Sequence, residues 1–453
     1  MAGNALVDIF RIKDLRQRLI FTFAVLMVFR IGATIPIPGI NVNALKLYYL
    51  TAQSSSNGAI GLADYIDFFA GGGFKNFSVF MLGIMPYISM SIIMQLLILV
   101  FPKLKKISQE DGGRKKIARY TRYGTVVVCL IQSYAATVYA RQIPDAITMS
   151  KLSYSLIAIV TVTTGSMLLV WMGEQITQRG VGNGVSLIIF AGIVARMPEA
   201  FILMFGRIKS KDINPVFLII VLALFVVVIA LVIYEQQGQR KIPVHYAKRV
   251  VGRKMYGGQN TYIPFKINPS GVIPVIFASS VMTFPLQILG GMGVKVRWMG
   301  TLAYWFRPSG WLYLTTYTLL IIFFAYFYTQ VTLNPQEISK QIRENGGSIP
   351  GIRSEKMEAY LMRILNRIVL AGSLFLAFIA LIPTLVQIIF HFPSQVAMLM
   401  GGTSLLIMVG VDLDFMSQIE GHMKMHHHVA NRIPESNVTF TASSPLASVI
   451  VST

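Results

Sequence analysis

DYIDFFAGGGFKNFSVFMLGIMPYISMSIIMQLLILVF, residues Asp64 to Phe101, joins a short, glycine-broken amphipathic piece to a long apolar run that reads as a helix from Phe77 onward. The first piece is too short and too polar to cross a bilayer. Yet Phe68, Phe69, Phe74 and Phe77 make it too apolar for a solvated loop. Non-helical backbone is tolerated at membrane depth only where protein or a water-filled cavity surrounds it. The pattern therefore predicts a channel with a short segment seated in it.

The rest of the chain has the same character. Of its 453 residues, 54% are hydrophobic and 13% charged, with a mean hydropathy of +0.61. A soluble chain of this composition lacks the polar surface to cover its cores, so a polytopic membrane protein is expected. The single cysteine, Cys129, lies in an apolar run; it leaves no disulfide or thiolate metal site and reads as a packing residue. The run after Arg18 contains Arg30 and ends in IPIPG instead of a small-residue cleavage site. It is expected to remain as the first span.

Apolar runs of about 20 residues number ten, near 19–38, 77–101, 120–140, 154–177, 184–205, 214–234, 271–291, 311–332, 368–390 and 396–416. With the N-terminus inside, the inner segments hold 27 of the 40 Lys and Arg and the outer segments 11. Positive charge near short loops stays in the cytoplasm, so both termini are expected there. Arg207, Lys209 and Lys211 break the rule locally. Trp298, Trp305 and Trp311 cluster between the seventh and eighth spans and predict a loop skimming the outer interface.

The net charge of +21 is concentrated. Between Glu235 and Ser270 stand Arg240, Lys241, Lys248, Arg249, Arg253, Lys254 and Lys266, against Glu235 as the one acidic residue. Loops this long are usually functional. Two readings stay open: an ordered docking surface for a polyanion or an acidic protein face, and a topology anchor near anionic lipid. The loop 333–367 is more balanced, and its NGGSIPGIRS tip places Arg353 in a Gly- and Pro-shaped turn. A guanidinium so presented can grip carboxylate or phosphate with two prongs.

The motifs FRIGATIPIPGI, LGIMPYISMSIIMQLL, ARYTRYG, GEQITQRGVGNGVSLIIFAGIV, GQRKIPVHYAKR, NPSGVIPVIFASS, NPQE, PGIRS and GGTSLLIMVGVDLDF follow one another from about Asp8 to Gln418. In that order and spacing they resemble the SecY family, the central subunits of the bacterial protein-conducting channel. The resemblance implies an all-α polytopic membrane protein. Its ten transmembrane helices would form two inverted pseudo-symmetric halves, a clamshell with a central pore and a re-entrant plug. Residues 1–206 would form the N-terminal half, 207–416 the C-terminal half and 417–453 a cytoplasmic tail. Inverted repeats place the pathway at the junction of the halves.

By the same resemblance, Ile84, Ile88, Val185, Ile189, Ile276 and Ile407 would line the constriction. An apolar collar offers water and ions no partners and gates by dewetting. Ile84 and Ile88, like Val185 and Ile189, are four apart and share a helical face; ordinary packing between spans is the alternative for any such pair alone. Residues 64–76, with Phe68, Phe69, Gly71, Gly72 and Gly73, would be the plug, displaceable at small cost if few backbone hydrogen bonds anchor it. Ser89, Gln132 and Ser279 would be polar members of a lateral gate between spans two and three and spans seven and eight, or simple packing residues. Arg240, Lys241, Lys248, Arg249, Arg253, Lys254 and Arg353 would receive the SecA motor or the ribosome. The implied partners are SecE, SecG, SecA, the ribosome, secretory and membrane-protein precursors and the surrounding lipid bilayer, with YidC as a further candidate. The implied location is the bacterial cytoplasmic (inner) membrane.

Other chemistry is disfavoured. His426, His427 and His428 could bind metal, but no carboxylate or cysteine cluster accompanies them, and a loose tail is expected there. GGTSLL near Ser404 lacks the flanks of a nucleophile elbow. No GxxxxGK[ST] loop is present, so energy must come from a partner. Glu174, Asp412 and Asp414 fall at helix ends, away from the midplane where a proton relay would sit. The rival reading is a secondary transporter. Such a protein places polar or ionisable groups at midmembrane around its substrate, where this chain has isoleucine and valine.

Overall fold

The computed structural model describes residues 12–45, 47–48, 67, 70–141, 143–209, 215–246, 249–251, 254–256, 260–292, 305, 310–390 and 402–432. Each of the ten apolar runs coincides with a helix: α1 (Lys13–Gly32), α2 (Met85–Val100), α4 (Gly113–Ala140), α5 (Lys151–Arg179), α6 (Gly184–Lys209), α7 (Pro215–Gln237), α8 (Ile273–Met292), α9 (Trp311–Thr332), α11 (Met357–Phe390) and α12 (Gly402–Arg432). Short helices α3 (Pro102–Gln109) and α10 (Pro335–Glu344) intervene. Among the described residues, four helices are by themselves long and apolar enough to cross a membrane, and a fifth is reached only if α2 and α3, bent by 108°, count as one span. The first helix falls short of that test because Arg16, Arg18 and Arg30 interrupt it.

The second helix begins later than the sequence suggests. Residues 70–84 form successive turns, and α2 starts at Met85 with Pro86 in its first turn. Proline favours that position because its missing N–H would be unpaired there anyway. A second difference lies at the other end, where the expected loose tail is helical through Arg432. No Gly or Pro breaker follows Gly421 until Pro434, and Lys424 pairs with Glu420 one turn away.

Helices α1, α2, α4, α5 and α6 pack among themselves, as do α7, α8, α9, α11 and α12. The two groups meet along two seams: α8 lies against α2 and α4, and α12 lies against α6. A single apolar core runs through both groups. Within the first group the turn between α5 and α6 is very tight, since a Cβ on Gly184 would lie 1.9 Å from the Gly173 carbonyl oxygen. Backbone cannot yield as a flexible side chain can. Gly184→Ala is expected to cost about 1–3 kcal/mol by overpacking and to lower the melting temperature in detergent; an unchanged melting curve would contradict this close approach.

The two long loops fold together, and here the structure adds strands that the all-α reading lacked. Strand β1 (Gln239–Tyr246) pairs antiparallel with β4 (Asn260–Lys266), and its end pairs with β5 (Gly347–Ser348) from the other loop. Between them β2 (Arg249–Val251) and β3 (Lys254–Tyr256) form a small hairpin. The cause is a period of two: Ile242 and Val244 are buried while Arg240, Lys241, Pro243 and His245 are exposed. Successive strand side chains point to opposite faces, so one face can pack and the other stay wet. The packed face joins Phe265, Ile342, Ile349, Met357 and Leu361 in a separate core.

Candidate functional site

The six aliphatic positions are distributed over the four helices α2, α6, α8 and α12. Ile88 lies in α2 with Ile84 immediately before it, Val185 and Ile189 in α6, Ile276 in α8 and Ile407 in α12. Those four, together with α4, are the helices through which the two groups touch. Ile84, Ile88, Ile189, Ile276 and Ile407 are buried in the common core, and Val185 packs against it partly exposed. The arrangement brings branched aliphatic side chains from both groups to one apolar junction.

Of the segment 64–76, Asp67 and residues 70–76 are described; Phe68 and Phe69 lie outside the described residues. Gly71, Gly72, Gly73 and Phe74 are buried. Gly71 has φ +63°, and a Cβ there would come within 2.9 Å of the Gly192 Cα in α6. Only glycine meets both demands. Phe74 and Phe77 close on Tyr139 of α4, with ring centroids 5.8 and 6.3 Å away. Backbone hydrogen bonds from this piece are short-range, such as Gly72 N–H to Asp67 C=O at 3.1 Å and Ser78 N–H to Gly73 C=O at 2.9 Å.

Side chains make the longer connections. Arg30 of α1 donates to the Gly71 carbonyl at 2.8 Å. Fully buried Asp67 accepts from the Lys75 backbone N–H at 2.8 Å and forms an ion pair with Arg196 of α6, which also pairs with Glu199. Sequence reasoning did not assign these four charged residues to the site. Their signal was available, because ionisable groups inside a membrane protein mark function by default.

The three polar positions of the expected lateral seam stand on helices that meet: Ser89 on α2, Gln132 on α4 and Ser279 on α8. All three are buried. Ser279 donates back to the Ile276 carbonyl at 2.8 Å in its own helix. Its neighbour Ser280 donates to the same carbonyl at 2.8 Å, and its Oγ lies 3.8 Å from Met85 Sδ across the seam. Polar contacts between helices in lipid contribute only about 0.6–2 kcal/mol each, so this seam is weakly joined.

Among the basic positions, Lys241 projects from the wet face of β1 and lies 4.7 Å over the Tyr262 ring, while Arg240 is exposed near the start of the strand. Arg249 and Lys254 occupy the small hairpin, while Lys248 and Arg253 lie outside the described residues. Arg353 is exposed. Glu174 forms a two-pronged ion pair with Arg122, both contacts at 2.8 Å, tying α5 to α4. Asp412 and Asp414 are exposed, and Cys129 is fully buried. Among the described residues no group of three His, Cys, Asp or Glu could hold a metal ion.

Two helical groups meeting at an aliphatic junction, with a buried irregular segment beside it, define a protein-conducting channel by fold. The chain superposes on a solved protein-conducting channel with a TM-score of 0.65 at 20% identity, covering 92% of this chain and 95% of that one. It also superposes on Sec61 from the canine ribosome-channel complex of the endoplasmic reticulum, with a TM-score of 0.61 at 19% identity and the same coverage. In sequence, the SecY family model matches residues 78–416. The protein translocase subunit SecY of Borreliella burgdorferi is 48% identical over 420 residues, spanning 92% of this chain and 95% of that protein. The chain belongs to the SecY family, and its role is that of a protein-conducting channel.

Proposed function

We propose that unfolded secretory polypeptides pass between the two helical groups through the collar of Ile84, Ile88, Val185, Ile189, Ile276 and Ile407. The observation that supports this most is the placement of the collar on four of the five helices that join the groups. An apolar collar excludes water at rest and yields around a passing chain without binding it. The segment around Gly71–Gly73 acts as the plug. The seam of α8 against α2 and α4 is the lateral gate, with Ser89, Gln132 and Ser279 along it, through which signal sequences and membrane spans reach lipid. The first half is residues 1–206 and the second 207–416, with α6 running three residues past the first boundary and α12 continuing past the second.

In this reading the chain catalyses no covalent step. It lies in the bacterial cytoplasmic membrane with both termini and both long loops inside, as the distribution of Lys and Arg supports. SecE and SecG accompany it, and YidC receives some of its membrane clients. Energy comes from SecA or from the ribosome, docked on Arg353 and on the basic strands bearing Arg240, Lys241, Arg249 and Lys254. The likeness to a channel solved in a ribosome complex is consistent with the second partner.

A secretory chain stalled midway across the membrane, carrying a photo-crosslinker in the stretch at the bilayer centre, tests the reading. Labelling is expected at Ile88, Ile189 and Ile276. Labelling confined to the outer surface, or none, would overturn it and favour the secondary transporter.

A further inference from the structure

We infer that the Asp67–Arg196 ion pair, supported by Arg30 on the Gly71 carbonyl, is a latch that holds the plug in its seat. The inference rests on the reading of this segment as a plug. It adds what keeps the plug closed and what releases it.

The geometry distinguishes the latch from ordinary packing. The described backbone hydrogen bonds of residues 67–76 are local; two of them run to Phe77 and Ser78, where the Ile37 N–H to Phe77 C=O and Val79 N–H to Ile35 C=O bonds fix the C-terminal end of the segment, and the rest can travel with it. The bonds that displacement must break are made by side chains from elsewhere: Arg30 on α1 and Arg196 on α6. Asp67 is 0% exposed and the Arg196 side chain 14%. The Lys75 N–H holds Asp67 Oδ1 at 2.8 Å and so orients the other oxygen, Oδ2, toward Arg196. Asp67 and Arg196 are the buried members of the cluster and neutralise each other, while Arg30 and Glu199 are exposed.

Release is built into the same cluster. When the plug leaves, Arg196 keeps Glu199, which is 53% exposed, so the vacated seat does not hold a bare cation. Asp67 travels with the plug and must be solvated elsewhere. The pair is strong in a dry interior and weak in water, because the attraction falls as the local dielectric rises. A polypeptide that parts the seams and admits water therefore weakens the latch as it arrives. The resting channel stays sealed, and the occupied one does not have to pull against a full-strength ion pair.

The test uses the full-length channel in liposomes with potassium leak as the readout, and compares Asp67→Asn, Arg196→Gln, the double variant and Gly71→Val. Gly71→Val puts a side chain against the Gly192 backbone and should unseat the plug without touching the charges. Each single charge variant is expected to raise the leak by about one to two orders of magnitude, since either substitution breaks the desolvated ion pair that holds the plug. The double variant should leak no more than the leakier single, because the coupling is already lost. Melting in detergent should stay unchanged for the near-isosteric Asp67→Asn. If Gly71→Val leaks while the charge variants stay tight, the latch is wrong and the plug reading survives. If the effects of the two charge variants simply add, the residues act separately and the latch is wrong. If Gly71→Val folds and stays tight, the plug reading falls and the latch with it.

Discussion

Replacing Ile276 by asparagine is expected to make the resting channel leak small ions about ten- to a hundredfold faster than the parent, with a further rise when Ile88→Asn is added. The collar seals because water entering it loses hydrogen bonds that branched aliphatic side chains cannot return. An amide restores partners, and an unpaired polar group in an apolar site costs about 1–3 kcal/mol on mutational scales, which is a factor of about ten to a hundred or more in occupancy. Position matters as much as polarity. Ile276 on α8 and Ile88 on α2 stand on helices that meet at a seam between the two helical groups, both buried in the common core. Ile276→Val is the control: it removes one methylene, costs about 0.5–1.5 kcal/mol in stability, and should leave the seal intact. Were the six residues ordinary packing, both substitutions would lower the melting temperature in proportion to lost volume and neither would change conductance. Measuring leak and melting on the same preparations separates the two cases.

The sequence disclosed the helices well and the loops poorly, for a physical reason. A span is announced by about 20 consecutive apolar residues, so α5, expected at 154–177, is found at Lys151–Arg179, and α9 coincides with its run 311–332. Where a helix continues past the bilayer, hydropathy is silent. Thus α11 begins at Met357, eleven residues before its apolar run, and α12 continues to Arg432. The segment 70–84 is apolar enough to pass for the start of α2 yet turns repeatedly, because burial against α4 and α6 replaces lipid as its surroundings. The strands of loop 235–270 had a visible alternation at Ile242 and Val244. Their basic neighbours drew attention to charge ahead of pattern.

The site was legible to different degrees. Aliphatic pairs four apart are common in any span, and only their motif context singled them out. Structure added that they stand on the helices joining the two groups. Nothing in the sequence singles out the charged residues around Asp67 as one cluster: Arg196 counts among the outer positive charges, Arg30 lies within the first span, and Asp67 is one acid in a short loop. No spacing rule connects residues 30, 67 and 196; their meeting depends on the packing of α1 and α6 around the turn.

Arg353→Glu is expected to abolish motor-driven transport while leaving the channel folded. The turn that carries the guanidinium is rigidly mounted. Ile349 is buried in the core shared by the two long loops and Ile352 packs against it, so the tip is pinned on both sides. Gly351 adopts φ +77°, a conformation that turns the chain there, and Arg353 sits at the N-terminal end of a short 3-10 helix, Ser354–Lys356. Its side chain is exposed and has no hydrogen-bond or ion-pair partner among the described residues, so nothing inside the protein depends on it. Substitutions at such surface sites usually change stability by less than about 0.5 kcal/mol. A partner that docks an acidic group there would lose an interaction worth about 2–5 kcal/mol and gain repulsion in its place. That is a thousandfold loss of affinity or more at the upper end. Arg353→Lys keeps the charge but loses the two-pronged geometry, so it should fall between the parent and the reversal. Removing charge at Arg240 and Lys241 should act differently, weakening docking gradually and reducing its salt dependence if phosphate is the partner. Precursor transport into membrane vesicles, driven by SecA and ATP and titrated against salt, measures all of these. Normal transport by Arg353→Glu would remove the tip from the docking surface and leave the basic strands to carry it.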